Sequence, residues 1–223
     1  MKSGLLKSVV LGVLVASVMG VGTARAAVNV VVSGSDPYVG YMNVFNLPAD
    51  GGGYQFGSGW GTADLCAVFT GDNLRLSPNT IGDPNPYWYI GGGGPGAPGN
   101  KIMEANMYVE PAGSLPGQTV TFSGAVVSNT LTSAHVAQVF IRDFAPDFSS
   151  SVDAFAVLPA SGSFSVTLST INDPARHVQY GFQMKGVNVW VTDVAAFGAV
   201  VVGPGLPTAT QTTSWGRLKS LYR

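Results

Sequence analysis

AHVAQVFIRDF (residues 134–144), SFSVTLS (163–169), HVQYGFQM (177–184) and VNVWVTDVAAFGAVVV (187–202) decide the architecture of this chain. Each alternates apolar and polar side chains with a period of two. Pro, Gly, Asn and Ser separate them, and no helical period intervenes. In HVQYGFQM, Val178, Tyr180, Phe182 and Met184 share one face, while His177, Gln179 and Gln183 share the other. A pleated strand buried on one side produces that pattern. The expectation is an all-β protein, an antiparallel β-sandwich.

Outward from this region the same alternation continues. Val28 to Ser33, Tyr38 to Phe45 and Tyr54 to Trp60 are expected strands. Asp64 to Phe69 and Asn73 to Ser77 are expected to form a hairpin closed by Thr70-Gly71-Asp72-Asn73. Residues 78–99 form a long loop rich in Pro and Gly that carries Tyr87, Trp88 and Tyr89. Loops of that length in a compact domain are usually functional or mobile. Lys101 to Glu110 places Ile102, Glu104, Asn106 and Tyr108 on one face, with Met103, Ala105, Met107 and Val109 on the other. Gln118 to Val127 follows, with Val120, Phe122 and Val126 inward. Further strands are expected at 134–143, 152–158, 163–169, 177–184 and 187–202. Roughly ten to twelve short strands at turn-separated intervals imply a sandwich or barrel.

The two ends differ from this body. Residues 1–26 have a basic start at Lys2 and Lys7, an apolar stretch from Val9 to Val21, and Ala24-Arg25-Ala26 at the small-x-small cleavage position. This is the pattern of a secretory signal peptide; a membrane anchor would need an apolar run of about 20 residues. Residues 28–203 are expected to form one domain. Residues 204–223 form a Pro- and Thr-rich linker ending in a basic tail, Trp215 to Arg223. The plain reading of that tail is a frayed terminus, and the sharper one a short address that docks to a sorting or surface partner. A secreted or cell-surface location follows from the leader, and no other stretch is apolar enough for a transmembrane span.

Composition narrows the function classes. Without Lys2, Lys7 and Arg25, eight basic residues stand against twelve acidic ones. A mildly acidic surface without basic clusters argues against nucleic acid and against anionic membranes. Cys66 is the only cysteine, which excludes an intramolecular disulfide and thiolate metal sites. Its apolar neighbours favour a buried inert thiol over a reactive one.

Several phrases carry a family resemblance. They are Met42-Asn43-Val44-Phe45 with Gly59-Trp60-Gly61, Gly99-Asn100-Lys101 with Leu115 to Gly124, and Asn188-Val189-Trp190 leading to Asp193-Val194. Across residues 36–202 the chain resembles the galactose-binding-like jelly-roll modules of secreted bacterial proteins, many of which bind carbohydrate. The resemblance implies a jelly-roll β-sandwich and a glycan ligand. Many such modules hold a structural calcium ion between a Glu after the first phrase and an Asp near the last strand. Asn46 stands where that Glu would fall. The resemblance therefore leaves Asp193, with Asp36 and backbone carbonyls, as the residual calcium ligand, and the missing carboxylate argues against a metal.

The candidate ligand-binding residues fall into two sets. Tyr87, Trp88, Tyr89 and Trp190 offer aromatic faces for the C–H faces of sugar rings, against the plainer reading that Trp190, like Trp60, is core. Gln138, Arg142, His177 and Gln179, with Gln183, form a polar stripe, either a binding face or an ordinary wet face. A rival reading is a polysaccharide lyase, with His177 or Tyr180 as base and Arg142 and Gln179 neutralising charge, although Tyr180 alternates away from His177. Other chemistries find no support. Glu104 and Glu110 lie on one strand rather than flanking a bond, no Gly-x-Ser-x-Gly elbow occurs, and the Gly91 to Gly94 run opens no helix. The sequence thus points to a non-catalytic, glycan-binding module, with a structural or adhesive surface protein as the alternative.

Overall fold

A computed structural model describes residues 26–205; the leader and the basic tail lie outside the described residues. Twelve strands follow in order: β1 (Ala27–Val31), β2 (Val39–Asn46), β3 (Tyr54–Trp60), β4 (Ala67–Thr70), β5 (Asn73–Leu76), β6 (Lys101–Val109), β7 (Thr119–Asn129), β8 (His135–Phe144), β9 (Ser151–Val157), β10 (Gly162–Ser169), β11 (His177–Val187) and β12 (Val200–Gly203). Among the described residues the helical pieces are two 3-10 turns, Pro48–Asp50 and Val194–Phe197. Among the described residues no helix is long and apolar enough to cross a membrane.

The strands form two six-stranded sheets. One runs β3-β2-β6-β11-β8-β9. In the other, β12-β5-β4 continue from β7, which also pairs with β1 and β10. Because β10 pairs with Thr119 to Val126, β1 and β12 share the opposite edge of β7, β1 beside Thr119 to Ser123 and β12 beside Ala125 to Asn129. Within the last eight strands the orders are β5-β12-β7-β10 and β6-β11-β8-β9, the double Greek-key connection of a jelly roll. The pairing is antiparallel except for β1 with β7, which is parallel and departs from the all-antiparallel expectation.

The core lies between the sheets, and its members are those chosen by alternation. Val178, Tyr180, Phe182 and Met184 are all buried, as are Met103, Ala105, Met107 and Val109 on the neighbouring strand. Phe122, from the opposite sheet, meets Tyr180 at 5.0 Å and Phe182 at 5.3 Å between ring centroids. The turn of the β4–β5 hairpin uses Gly71 at φ 59°, where a side chain would be strained.

One expected strand is corrected. Residues 187–202 are not a single strand: β11 ends at Val187, and only Val200–Gly203 pairs again. Asn188 marks the break. Its amide still donates to the Lys101 carbonyl at 3.0 Å, while its buried side chain accepts the Lys101 amide at 3.0 Å through Oδ1 and donates to the Trp88 carbonyl at 2.8 Å through Nδ2. The next amide, Val189, leaves β6 and donates to the Asn79 carbonyl at 2.9 Å.

Candidate functional site

The outer face of the β3-β2-β6-β11-β8-β9 sheet is not the wet surface that alternation alone would give. Asn106, Gln179 and Gln183 are 3%, 5% and 4% exposed, as sheltered as core residues. Register explains how they meet. Gln183 pairs across to Asn106 on β6 and Gln138 on β8, and Gln179 pairs with Arg142. Asn106 Oδ1 accepts from Arg142 Nη1 at 3.0 Å and from Gln183 Nε2 at 2.9 Å. Its Nδ2 donates to the Glu104 carbonyl at 3.1 Å, which fixes the orientation of the amide.

Gly181 lets β11 lie close against β6 on this face: a Cβ at that position would run into the Met107 carbonyl and the Tyr108 Cα and Cβ. The same face carries a groove of about 550 Å³ whose polar floor is Asn43, Asn106, Arg142 and Gln179. Tyr41, Tyr108, Phe144 and Phe148 supply its aromatic walls, with Glu110 at the rim. Phe148 stands out: it is 54% exposed and has φ 58°, a left-handed conformation rare for a bulky residue. Its ring stacks on His177 at 4.3 Å and 21°. Strain of this kind is held where the surroundings enforce it, and it motivates a functional assignment.

Glu110 organises one end of the groove. Oε1 lies 2.6 Å from His177 Nδ1, and Oε2 accepts from Gln179 Nε2 at 2.7 Å. A carboxylate only accepts, so Nδ1 of His177 carries the proton of this hydrogen bond. Burial, then the neighbouring Glu110 charge, raises the Tyr108 phenol above its ordinary value, so it stays a neutral hydroxyl. Burial also weakens the hold of Arg142 on its proton, with Asp153 and Glu104 opposing the effect. At the other end Glu104 accepts from Asn43 at 3.2 Å and from Lys185 at 3.0 Å.

The structure brings together part of the expected set. Arg142 and Gln179 line the groove, His177 flanks it through Glu110 and Phe148, and Gln138 lies on the same face outside its lining. Tyr180 points into the core, its hydroxyl 3.4 Å from Asp36, so it does not join His177.

The aromatic loop is a correction. None of Tyr87, Trp88, Tyr89 and Trp190 lines the groove. Tyr89 is fully buried, its hydroxyl donating to the Ile81 carbonyl at 2.7 Å. Trp190 packs edge-on against Tyr89 at 5.2 Å and occupies the space beside Gly93. Trp88 lies edge-on between Phe56 and Tyr87, and Tyr87 covers the Lys101 ammonium at 4.3 Å. Residues 78–99 fold back on themselves: Tyr89 is core and Trp88 is half-buried, while Tyr87 stays exposed away from the groove.

The Asp193 carboxylate is taken up by the same loop. Oδ2 accepts the Gly96 amide at 2.6 Å and Oδ1 the Thr192 hydroxyl at 2.9 Å. Among the described residues no group of three or more His, Cys, Asp or Glu side chains is placed to hold a metal ion. Cys66 is half-buried at φ 56°, with Sγ 3.9 Å from the Thr80 hydroxyl. It borders a second cleft of about 550 Å³ whose only carboxylate is Asp64.

Tyr41, Asn43, Asn106, Tyr108, Glu110, Phe144 and Phe148 are the groove residues that the candidate sets omitted. The polar row of β6 was visible as alternation, but nothing local pairs it with β11. A jelly-roll sandwich with an aromatic-walled polar groove on one sheet is the class of protein that fold and site define. The chain matches no family model, no curated protein and no solved structure.

Proposed function

We propose that this is a secreted binding module that holds a glycan in the groove of the β3-β2-β6-β11-β8-β9 sheet and carries out no chemistry on it. One observation carries the reading: a set of buried, mutually hydrogen-bonded amides beside an exposed, conformationally strained Phe148. Sugar rings present C–H faces to aromatics and hydroxyls to fixed amides, and that combination lines this groove. The resemblance to galactose-binding-like modules supports the same ligand class. The secretory leader inferred for residues 1–26 agrees with an extracellular ligand.

The test is affinity measured on a glycan array and by calorimetry for the wild type, Phe148→Ala and Tyr108→Ala. Each variant is expected to weaken binding by roughly tenfold, the order reported for one well-packed aromatic contact. Binding untouched by both substitutions would remove the groove from the reading.

A second reading, a structural or adhesive surface protein, draws on the sheet edges. β9 and β10 are both edge strands, and between residues 148 and 171 the only charged side chain is Asp153. Val152, Phe155 and Val157 are exposed there. Such edges invite pairing between copies.

A further inference from the structure

The charges around the groove leave one group over. Glu104 is ion-paired with Lys185 at 3.0 Å, and Glu110 accepts hydrogen bonds from His177 Nδ1 at 2.6 Å and Gln179 Nε2 at 2.7 Å. The ion pair of Arg176 with Asp143 is not part of the groove lining. Arg142 lines the groove and forms no ion pair with any described residue. Among the described residues its one side-chain hydrogen bond runs from Nη1 to the Asn106 amide oxygen. Its cross-strand neighbour on β9 is Asp153, which acts on it only at longer range.

A guanidinium has five N–H donors in a planar fork. Here the fork lies over the rings of Phe140 and Phe155, at 4.8 and 4.9 Å from their centroids. Those rings exclude water from one side and limit the orientations of the plane, so the cation is partly desolvated and holds unused donors. An unpaired, desolvated charge is unfavourable unless a counter-charge arrives. A carboxylate is planar and matches the fork with two parallel hydrogen bonds, which a neutral hydroxyl does not.

We propose that the groove takes an acidic sugar, its carboxylate gripped by the Arg142 fork and its ring laid against Phe148 and Tyr108. This deepens the glycan reading and rests on it. The carboxylate supplies the Arg142 fork with acceptors that neither Glu104 nor Glu110, each hydrogen-bonded elsewhere, provides. Asn106 positions the fork and does not itself select the acid.

Calorimetry on the full chain tests this with polygalacturonate, alginate, the carboxyl-reduced forms of both, and a sulfated galactan. At least one polyuronate is expected to bind about tenfold or more tighter than its reduced form, the step for one charge-assisted pair. Arg142→Gln keeps a donor for Asn106 and is expected to erase that preference. Arg142→Lys, a charge without a fork, is expected to recover only part of it. The proposal is overturned by equal affinity for acidic and reduced polymers, by a preference that survives Arg142→Gln, or by tightest binding to the sulfated polymer. Equal affinities that still fall in Phe148→Ala would sink the acid assignment alone. No binding to any glycan would sink both.

Discussion

Asn106 is the residue on which the groove floor depends. It accepts from Arg142 and Gln183 and donates to the Tyr41 and Glu104 carbonyls. Replacing it with Leu keeps the volume but strands a guanidinium and an amide in a sheltered place. Each stranded donor costs on the order of 1–3 kcal/mol, so Asn106→Leu should lose roughly 2 kcal/mol or more in urea denaturation. His135 makes a different residue-scale prediction. It is 6% exposed, its Nε2 lies 2.8 Å from the Val187 carbonyl, and its Nδ1 has no partner. Burial pushes its pKa below the ordinary 6.5, with the Val187 contact opposing. Above 6.5 the ring is neutral in both folded and unfolded chains, and the linkage is silent. Below it the unfolded chain takes up the proton first, so stability falls with pH until the folded pKa is passed. The urea midpoint should decline as pH drops from about 6.5 to about 5, and less steeply in His135→Gln.

At the scale of the element, β11 and the loop before it show what alternation reveals and what it hides. The inward row of β11 is all core, and the β6 row is equally plain, because a strand between two environments sorts every second side chain. The pairing of β6 with β11 joins residues more than sixty positions apart, and no local pattern encodes it. The groove was therefore legible as separate stripes and not as one site. The aromatics of residues 78–99 were misleading for a related reason: a loop packing on itself has no period that marks which rings are inside. The connection from β10 to β11 hides a further dependence. Asp143, on β8, is fully buried and accepts from Arg176 Nε and the Ile171 amide, each at 2.6 Å. Asp143→Ala leaves the Arg176 guanidinium without its carboxylate, though still bonded to the residue 143 carbonyl, and the Ile171 amide without a partner, and should cost about 3 kcal/mol in denaturation experiments. Gly181→Val should be comparably harmful, since β11 would have to move away from Tyr108. A mild effect of either would mean that the β10–β11 connection and the groove floor tolerate shifts that their geometry does not suggest.

For the whole molecule, charge sets how a ligand would approach. Residues 26–205 contain five Lys or Arg and twelve Asp or Glu, so the sandwich is acidic even though Arg142 is cationic. An acidic glycan would thus be repelled at distance and attracted only inside the groove. Salt screens the repulsion first, because it acts between exposed charges more than a Debye length apart, about 8 Å at physiological ionic strength. The contact inside the groove is partly desolvated and is screened less. One ion pair also displaces few counterions, unlike a basic cleft that neutralises many charges. The two salt effects oppose each other, so affinity for a polyuronate should change less than about threefold between about 50 and 500 mM salt. Arg142→Gln should bind such a polymer better as salt rises, since only the repulsion remains to be screened. A steep loss of wild-type affinity with salt would instead indicate several basic contacts, and the described face offers only Lys185 and Arg142 to make them.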